Sequence, residues 1–142
     1  MFLDNLLVVS DNQAFGAAGV STNSIDLGLP TPGRQVGTGE PLGFGFAVDI
    51  SGTVAASLLE IISATDAALT AGILVHATRS IPLAEAIAGA LFFLGLPPGT
   101  PTQRYLGIRV TTAGGTISGT AWLTAQNLFS IAHRYYAKGY VA

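Results

Sequence analysis

The chain has 142 residues, which fits one domain, residues 1–142, with a hydrophobic core of its own. Charged residues make up 10% of the sequence, against about 25% in a typical soluble domain. Only 6 Lys and Arg stand against 8 Asp and Glu, so we predict no nucleic-acid partner. Because the chain has no cysteine and two histidines, we also predict no disulfide and no metal site. We predict no cofactor.

The mean hydropathy is positive, at +0.54, which indicates either membrane insertion or burial in an assembly. The longest apolar run, residues 83–96, contains Glu85 and Gly89 and is shorter than the roughly 20 residues of a spanning helix. The start MFLDNLLVVSD lacks a basic region and makes a poor signal peptide. We predict burial in an assembly and no membrane partner. The alternative is a monomer with a neutral surface rich in Thr and Ser.

The first third of the chain predicts two strands and a long loop. Residues 3–10 form the first strand, and Asp11 and Asn12 a turn. Residues 19–27 are a polar extended segment typical of a sheet edge. Residues 27–41 hold three prolines and four glycines, so we predict an irregular, arm-like loop. A phosphate-binding loop is rejected there, because a strand pattern rather than a helix follows it.

The middle of the chain predicts three more strands. Residues 42–50, LGFGFAVDI, alternate apolar residues for the core with glycines that must lie close to something. Residues 54–64 and 73–79 are the next two strands, with a loop at residues 65–72. His76 is interpreted as a surface or hydrogen-bonded histidine rather than as a ligand or base.

Residues 81–99, IPLAEAIAGALFFLGLPPG, allow two structures. Pro82 and the spacing of Leu83, Ile87 and Leu91 suit a helix. The glycines and the pair of phenylalanines before two prolines suit a loop followed by a strand.

Residues 103–126 predict a hairpin with a two-residue turn at Gly114 and Gly115. In that register the apolar pairs are Thr112 with Ile117, Val110 with Gly119, Ile108 with Ala121 and Leu106 with Leu123. The polar face pairs Thr111 with Ser118, Arg109 with Thr120 and Gly107 with Trp122. One register thus separates apolar from polar side chains, as a half-buried ribbon requires.

The C-terminal residues 127–142, NLFSIAHRYYAKGYVA, combine tyrosines with His133, Arg134 and Lys138. This composition is typical of a binding surface. The alternative is a tail that packs over its own domain, and one short helical face is compatible with the spacing.

No catalytic motif is recognisable. The sequence has no nucleophile elbow, no paired acids at a known spacing, and no zinc-protease, calcium-loop or phosphate-loop pattern. We predict that the protein is not an enzyme. A cupin-like enzyme would need a histidine-rich metal site, which two histidines do not supply.

Several stretches, in order, resemble the jelly-roll cement, or decoration, proteins of tailed bacteriophages, of the Bordetella-phage type. They are DNLLVVSDNQ at residues 4–13, STNSIDLG at 21–28, GTGEPL at 37–42, IPLAEAIAGALFFLGLPPG at 81–99 and RYLGIRVTTAGGT at 104–116. Arg134, Tyr135 and Tyr136, with Gly139 and Tyr140, also match. The segment after Trp122 departs from the pattern, being longer or more helical.

The resemblance implies an all-β jelly-roll sandwich of about eight antiparallel strands with little helix. It also favours the loop-then-strand alternative at residues 81–99. Its implied function is a virion protein, made in the host cytoplasm, that binds the outer surface of an icosahedral capsid. The implied partners are the major capsid protein of an HK97-like shell and a second copy of the chain, with a trimer as the alternative. The role is to cement neighbouring capsomers against internal DNA pressure.

Three segments are the expected contacts: the N-terminus, the arm-like loop 27–41 and the tail 127–142. The candidate capsid or subunit contacts are Met1, Phe2, Leu3, Arg34, Gln35, Arg109, Trp122, Arg134, Tyr135, Tyr136 and Tyr140. The competing function is a carbohydrate-binding, lectin-like jelly roll, free or on the virion, in which Trp122, Tyr105 or the tyrosine tail stacks on sugar rings.

Overall fold

The computed structural model describes residues 5–28, 35–36, 41–49, 56–98 and 100–126. A 3₁₀ turn at Asn5–Leu7 precedes the first strand. The strands are β1 (Val8–Phe15), β2 (Gly19–Val20), β3 (Ile25–Asp26), β4 (Gln35–Val36), β5 (Leu42–Val48), β6 (Ser57–Ala64), β7 (Leu74–Ile81), β8 (Leu91–Gly95), β9 (Thr100–Pro101), β10 (Tyr105–Thr112) and β11 (Ile117–Ala125).

Two antiparallel sheets form a sandwich. Sheet I has the order β1-β11-β5-β8, and sheet II the order β2-β10-β6-β7. β3 also pairs with β10, beyond β2, so β2 and β3 act as two halves of one interrupted edge strand. Counted in this way, eight antiparallel strands divide into two four-stranded sheets in the order of a jelly roll. The predicted all-β fold class is confirmed.

The core lies between the inner faces of the two sheets. Alternation along β5 directs Phe44, Phe46 and Val48 inwards, and all three are buried. The prediction that the apolar residues of this strand belong to the core is confirmed for these three residues. The other members of the buried cluster are Val9, Phe15, Leu59, Ile61, Ile81, Ala86, Phe92, Leu94, Leu96, Leu106, Ile108, Val110, Ile117 and Ala121.

The predicted hairpin at Gly114 and Gly115 is wrong. β10 belongs to sheet II and β11 to sheet I, so the connection between them crosses from one sheet to the other. Val110 pairs with Leu59 and Gly19, not with Gly119. Gly114 does have a positive φ, at 84°, and this conformation turns the chain at the end of the sandwich.

The physical reason for this error is that alternation fixes a side chain's face and not its strand's neighbour. Ile108 and Ala121, predicted as adjacent partners, are both buried in the core, but in strands of facing sheets. Two strands whose apolar faces oppose each other across a core have the same polarity pattern as two strands side by side.

β1 also differs from its prediction. The strand starts at Val8 rather than at residue 3, and Asp11 and Asn12 lie inside it rather than in a turn. The register with β11 shifts between Ser10 and Gln13, and Asn12 takes a φ of 44°. Asparagine tolerates this conformation, so the pattern of a turn marks a bulge in a continuing strand.

Residues 27–41 are not wholly irregular, contrary to expectation. Gln35 and Val36 form β4, which pairs antiparallel with β9 as a small separate ladder. Two-residue strands carry too little hydrophobic periodicity to be recognised from sequence.

Residues 81–99 follow the loop-then-strand alternative. After β7, the backbone oxygen of Pro82 accepts hydrogen bonds from the amides of Glu85 and Ala86. This makes a single turn, and Ala86 is buried in the core. β8 then begins at Leu91, which joins sheet I beside β5.

The loop at residues 65–72 covers part of the outer face of sheet II. Leu69 packs there on Ile62 and Ala64 as a second small cluster. Gly107 permits this contact, because a Cβ atom added there would lie 2.5 Å from Leu69 Cδ1.

Candidate binding surfaces

Arg109 lies on the outer face of sheet II and is held by an ion pair. Its Nε donates to Glu60 Oε2 at 2.6 Å, and Glu60 is largely buried. The Glu60 hydrogen bond raises the pKa of Arg109 above its ordinary value. Arg109 is therefore partly exposed but already bound to Glu60, so a partner that contacts Arg109 would contact an ion pair and not a free cation.

Trp122 lies on the opposite side of the sandwich, on the outer face of sheet I. β11 pairs it with Gly45 of β5 on one side and with Val8 of β1 on the other. Its neighbours across the sheet are thus Gly45 and Val8, and not the Gly107 of the predicted hairpin. Only 4% of Trp122 is exposed, so it does not present a free ring to a ligand.

Arg109 and Trp122 do not share a surface. The predicted hairpin placed both on one polar face, but they lie on the outer faces of different sheets. No single partner surface of ordinary size contacts both.

The other sequence-based candidates are outside the described side chains. Met1, Phe2, Leu3, Arg34, Arg134, Tyr135, Tyr136 and Tyr140 lie outside the described residues. Gln35 is described only as part of the β4 backbone. These contacts stay predictions.

The structure reveals exposed apolar side chains that the sequence did not single out as contacts. They are Leu6, Leu58, Leu74, Val75, Leu83 and Ile87. All but Leu6 lie along β7 or beside it, in β6 and in the connection to β8. We call Leu58, Leu74, Val75, Leu83 and Ile87 the β7 strip.

The turn after β7 carries the most exposed members of this strip. Leu83 is 56% and Ile87 61% exposed, while Ala86 between them is fully buried. Their spacing, which also suited a helix, instead places two apolar side chains on one short turn anchored by Ala86.

Several residues in the stretches that resemble the phage family make structural cross-links. Gln13 Nε2 donates to the Val20 oxygen at 2.7 Å, and Gln13 Oε1 accepts from the Thr22 amide at 2.8 Å. Arg104 binds both carboxylate oxygens of Asp26 at 2.8 Å. These side chains connect β1 to β2 and β3 to the start of β10, so the motifs specify the fold.

Tyr105 is already engaged by its neighbours. The Arg104 guanidinium lies 5.0 Å from the centre of its ring, and its ring also packs on the small cluster around Leu69. A sugar stacking on Tyr105 would have to displace one of these contacts.

His76 is hydrogen-bonded, as expected. Its Nε2 lies 2.6 Å from Ser63 Oγ, and burial lowers the pKa of the imidazole below 6.5. Across the part of the chain that the structure describes, no three His, Asp or Glu side chains come together as metal ligands would. Within the same residues, no helix has the length and apolar character to cross a membrane.

The comparisons with known proteins identify the family. No curated protein matches the chain. The family model Bbp16 matches residues 9–125, which is well over half of the chain and includes both sheets. Its name denotes a Bordetella phage protein, and the match indicates a virion-associated protein. The chain therefore belongs to the Bbp16 family of phage proteins.

Proposed function

We propose that the protein is a structural virion protein that binds the outside of an icosahedral phage capsid and cements neighbouring capsomers against internal DNA pressure. The observation that carries the proposal is the match of residues 9–125 to a phage protein family. Its partner is the major capsid protein of an HK97-like shell. The activity is binding, without catalysis.

The β7 strip supports this function. A charge-poor chain leaves apolar side chains exposed along one edge of the sandwich. β7 has eight residues, so its two ends lie roughly 26 Å apart at about 3.3 Å per residue. Leu74 and Val75 stand at one end and Leu83 and Ile87 just beyond the other, with polar exposed residues between them. Apolar side chains spread in this way suit contact with a broad surface better than capture of a small molecule.

Many weak contacts suffice on a capsid lattice. Each copy needs to bury only a modest apolar area, because a copy that contacts two capsomers gains effective concentration from the second contact. The N-terminus, the loop 27–41 and the tail 127–142 supply further candidate contacts. Pairing of two copies, or of three as the alternative, would multiply such contacts in each bound assembly.

A lectin-like function receives less support. Trp122 is buried, and the Arg104 guanidinium lies over the Tyr105 ring. Among the described residues, the two aromatic side chains expected to stack on sugars are thus engaged within the protein. A glycan array probed with the full chain tests this alternative, and a specific hit would restore it.

The direct experiment adds the purified full chain to phage capsids that lack it. The proposal predicts co-sedimentation and an ordered outer layer in electron cryomicroscopy, with higher resistance of the decorated shell to heat or chelator. Absence of binding, or density inside the shell, would refute it. The mass of the protein in solution separates dimer, trimer and monomer.

A further inference from the structure

Ser63 is a fully buried polar residue that connects two elements of the fold. It lies near the end of β6, opposite the beginning of β7. The backbone amide of Gln103, just before β10, donates to Ser63 Oγ at 3.0 Å. On the other side, His76 Nε2 lies 2.6 Å from the same oxygen. One hydroxyl thus joins an edge strand to the segment that enters a central strand.

A bulge in β7 places His76 at this position. Ile61 pairs with Ala77 and Ile62 with Val75, so His76 is the extra residue between two regular pairs. A bulge changes the direction of a side chain relative to regular alternation. Here the bulge allows the half-buried imidazole of His76 to reach the Ser63 hydroxyl, which is not accessible to solvent.

The count of donors allows the Ser63 hydroxyl to donate its hydrogen to His76. A serine hydroxyl has one hydrogen and two lone pairs. Since the Gln103 amide donates to Ser63 Oγ, the hydroxyl hydrogen is available for His76 Nε2, which accepts only in the neutral imidazole. In the protonated imidazole both nitrogens are donors. The buried hydroxyl hydrogen then loses its acceptor, which is costly away from water.

No charged side chain of the neighbouring described elements binds His76. β6 carries Glu60, which is paired with Arg109, and β8 carries no charged residue. On β7, Arg79 donates to a β8 backbone oxygen. Two charged residues lie near Ser63 and Gln103 in the sequence, and both are bound elsewhere. Asp66 accepts hydrogen bonds within its own loop, and Arg104 binds Asp26.

We propose that Ser63 and His76 form an acid-sensitive clasp, which holds β7 and the segment entering β10 together while the imidazole is neutral and loosens when it is protonated. The direction of the pKa shift of His76 agrees with this clasp. Burial lowers the pKa of His76 in the folded chain below the ordinary value of 6.5. The unfolded chain therefore takes up the proton first, and the stabilisation present above pH 6.5 is lost as the pH falls towards the folded pKa.

Nuclear magnetic resonance of the isotope-labelled full chain tests the clasp. At about pH 8, where an ordinary imidazole is neutral, His76 should carry its hydrogen on Nδ1, and the Gln103 amide should be protected from exchange. As His76 titrates, the protection factor of Gln103 should fall. An Nε2–H tautomer, or protection that is unchanged through the titration, would overturn the proposal.

Two variants test whether His76 is the group responsible for the acid response of the Gln103 amide. H76Q keeps an acceptor for Ser63 without a titrating group, so Gln103 should remain protected in acid. H133Q removes the other histidine of the chain and should retain the acid-induced loss. Loss of the acid response in H133Q instead would refute the assignment. If H76Q does not fold, the tautomer and exchange measurements on the unsubstituted chain decide alone.

Discussion

Arg79 on β7 donates a hydrogen bond from Nη1 to the backbone oxygen of Phe93 on β8 at 2.8 Å. The same guanidinium lies 5.2 Å from the centre of the Phe92 ring. β7 and β8 are the edge strands of different sheets. The Arg79 side chain thus links the two sheets along one side of the sandwich. It also occupies a carbonyl of the edge strand β8, which opposes pairing of that edge with other chains.

Replacing Arg79 should therefore loosen the β7 side of the molecule. R79A is expected to lower the free energy of unfolding by about 1 kcal/mol, because an exposed charged hydrogen bond and a cation–π contact are lost. Urea denaturation measures the change. T78S, at the exposed neighbouring position, should alter stability by less than about 0.5 kcal/mol. Equal effects of the two substitutions would contradict the bridging role.

The sequence allowed most of the longer strands to be predicted, but not the partners of the last two. Alternation correctly placed Phe44 and Phe46 in the core. Alternation is a local property, whereas the sheet that a strand joins depends on the whole chain. The resemblance to phage proteins supplied the jelly roll, but the hairpin inferred from local register contradicted it.

The candidate contacts were less predictable. Arg109 and Trp122 were chosen as residues that could meet a partner from the polar face of a ribbon. The structure pairs the first with Glu60 and buries the second. A single sequence cannot show which outward-facing side chains are already satisfied within the domain. Exposure of Leu83 and Ile87 likewise depends on a turn anchored by Ala86, which has no strong sequence signature.

Gly119 lies where β11 passes close to the Phe46 ring of the core. A Cβ atom added there would overlap the Phe46 ring and lie 2.9 Å from the Ala47 backbone oxygen. G119A is expected to cost about 1–3 kcal/mol of unfolding free energy through overpacking. G16A is the matched control, because a Cβ atom at Gly16 meets nothing within 4 Å. A neutral G119A would show that the two strands separate easily at this point.

Asp66 organises the loop that covers sheet II. The Thr70 hydroxyl and the amides of Ala71 and Thr70 donate to its carboxylate, and these hydrogen bonds lower its pKa below 3.8. Because the folded chain binds this proton less readily, the stabilisation is present above pH 3.8 and is lost as the pH falls through the folded pKa.

The expected result is a melting temperature that falls below pH 3.8 more steeply in the unsubstituted chain than in D66N. D11N removes one exposed carboxylate elsewhere and should keep the acid response of the unsubstituted chain. Scanning calorimetry across the acid range provides the measurement. Identical acid profiles for D66N and the unsubstituted chain would remove Asp66 from the explanation.

The tyrosine-containing tail is testable on capsids. Deleting residues 135–142 removes Tyr135, Tyr136 and Tyr140, so capsid occupancy should fall if the tail contacts the shell or a second copy. Occupancy is measured by co-sedimentation, and the solution mass of the truncated chain distinguishes the two contacts. Full occupancy with an unchanged mass would remove the tail from the candidate contacts.

The β7 strip gives the sharpest test of the binding surface. The double substitution L83S and I87S removes two exposed apolar side chains but leaves Ala86 in the core, so folding should be retained. Because lattice binding multiplies small losses in each contact, capsid occupancy should fall by more than tenfold at limiting protein, about 1.4 kcal/mol. L6S, at an 84% exposed residue beside β1 on the other edge, is the matched control. If L6S weakens binding and the double variant does not, the capsid contacts the β1 edge instead, and β7 faces solvent.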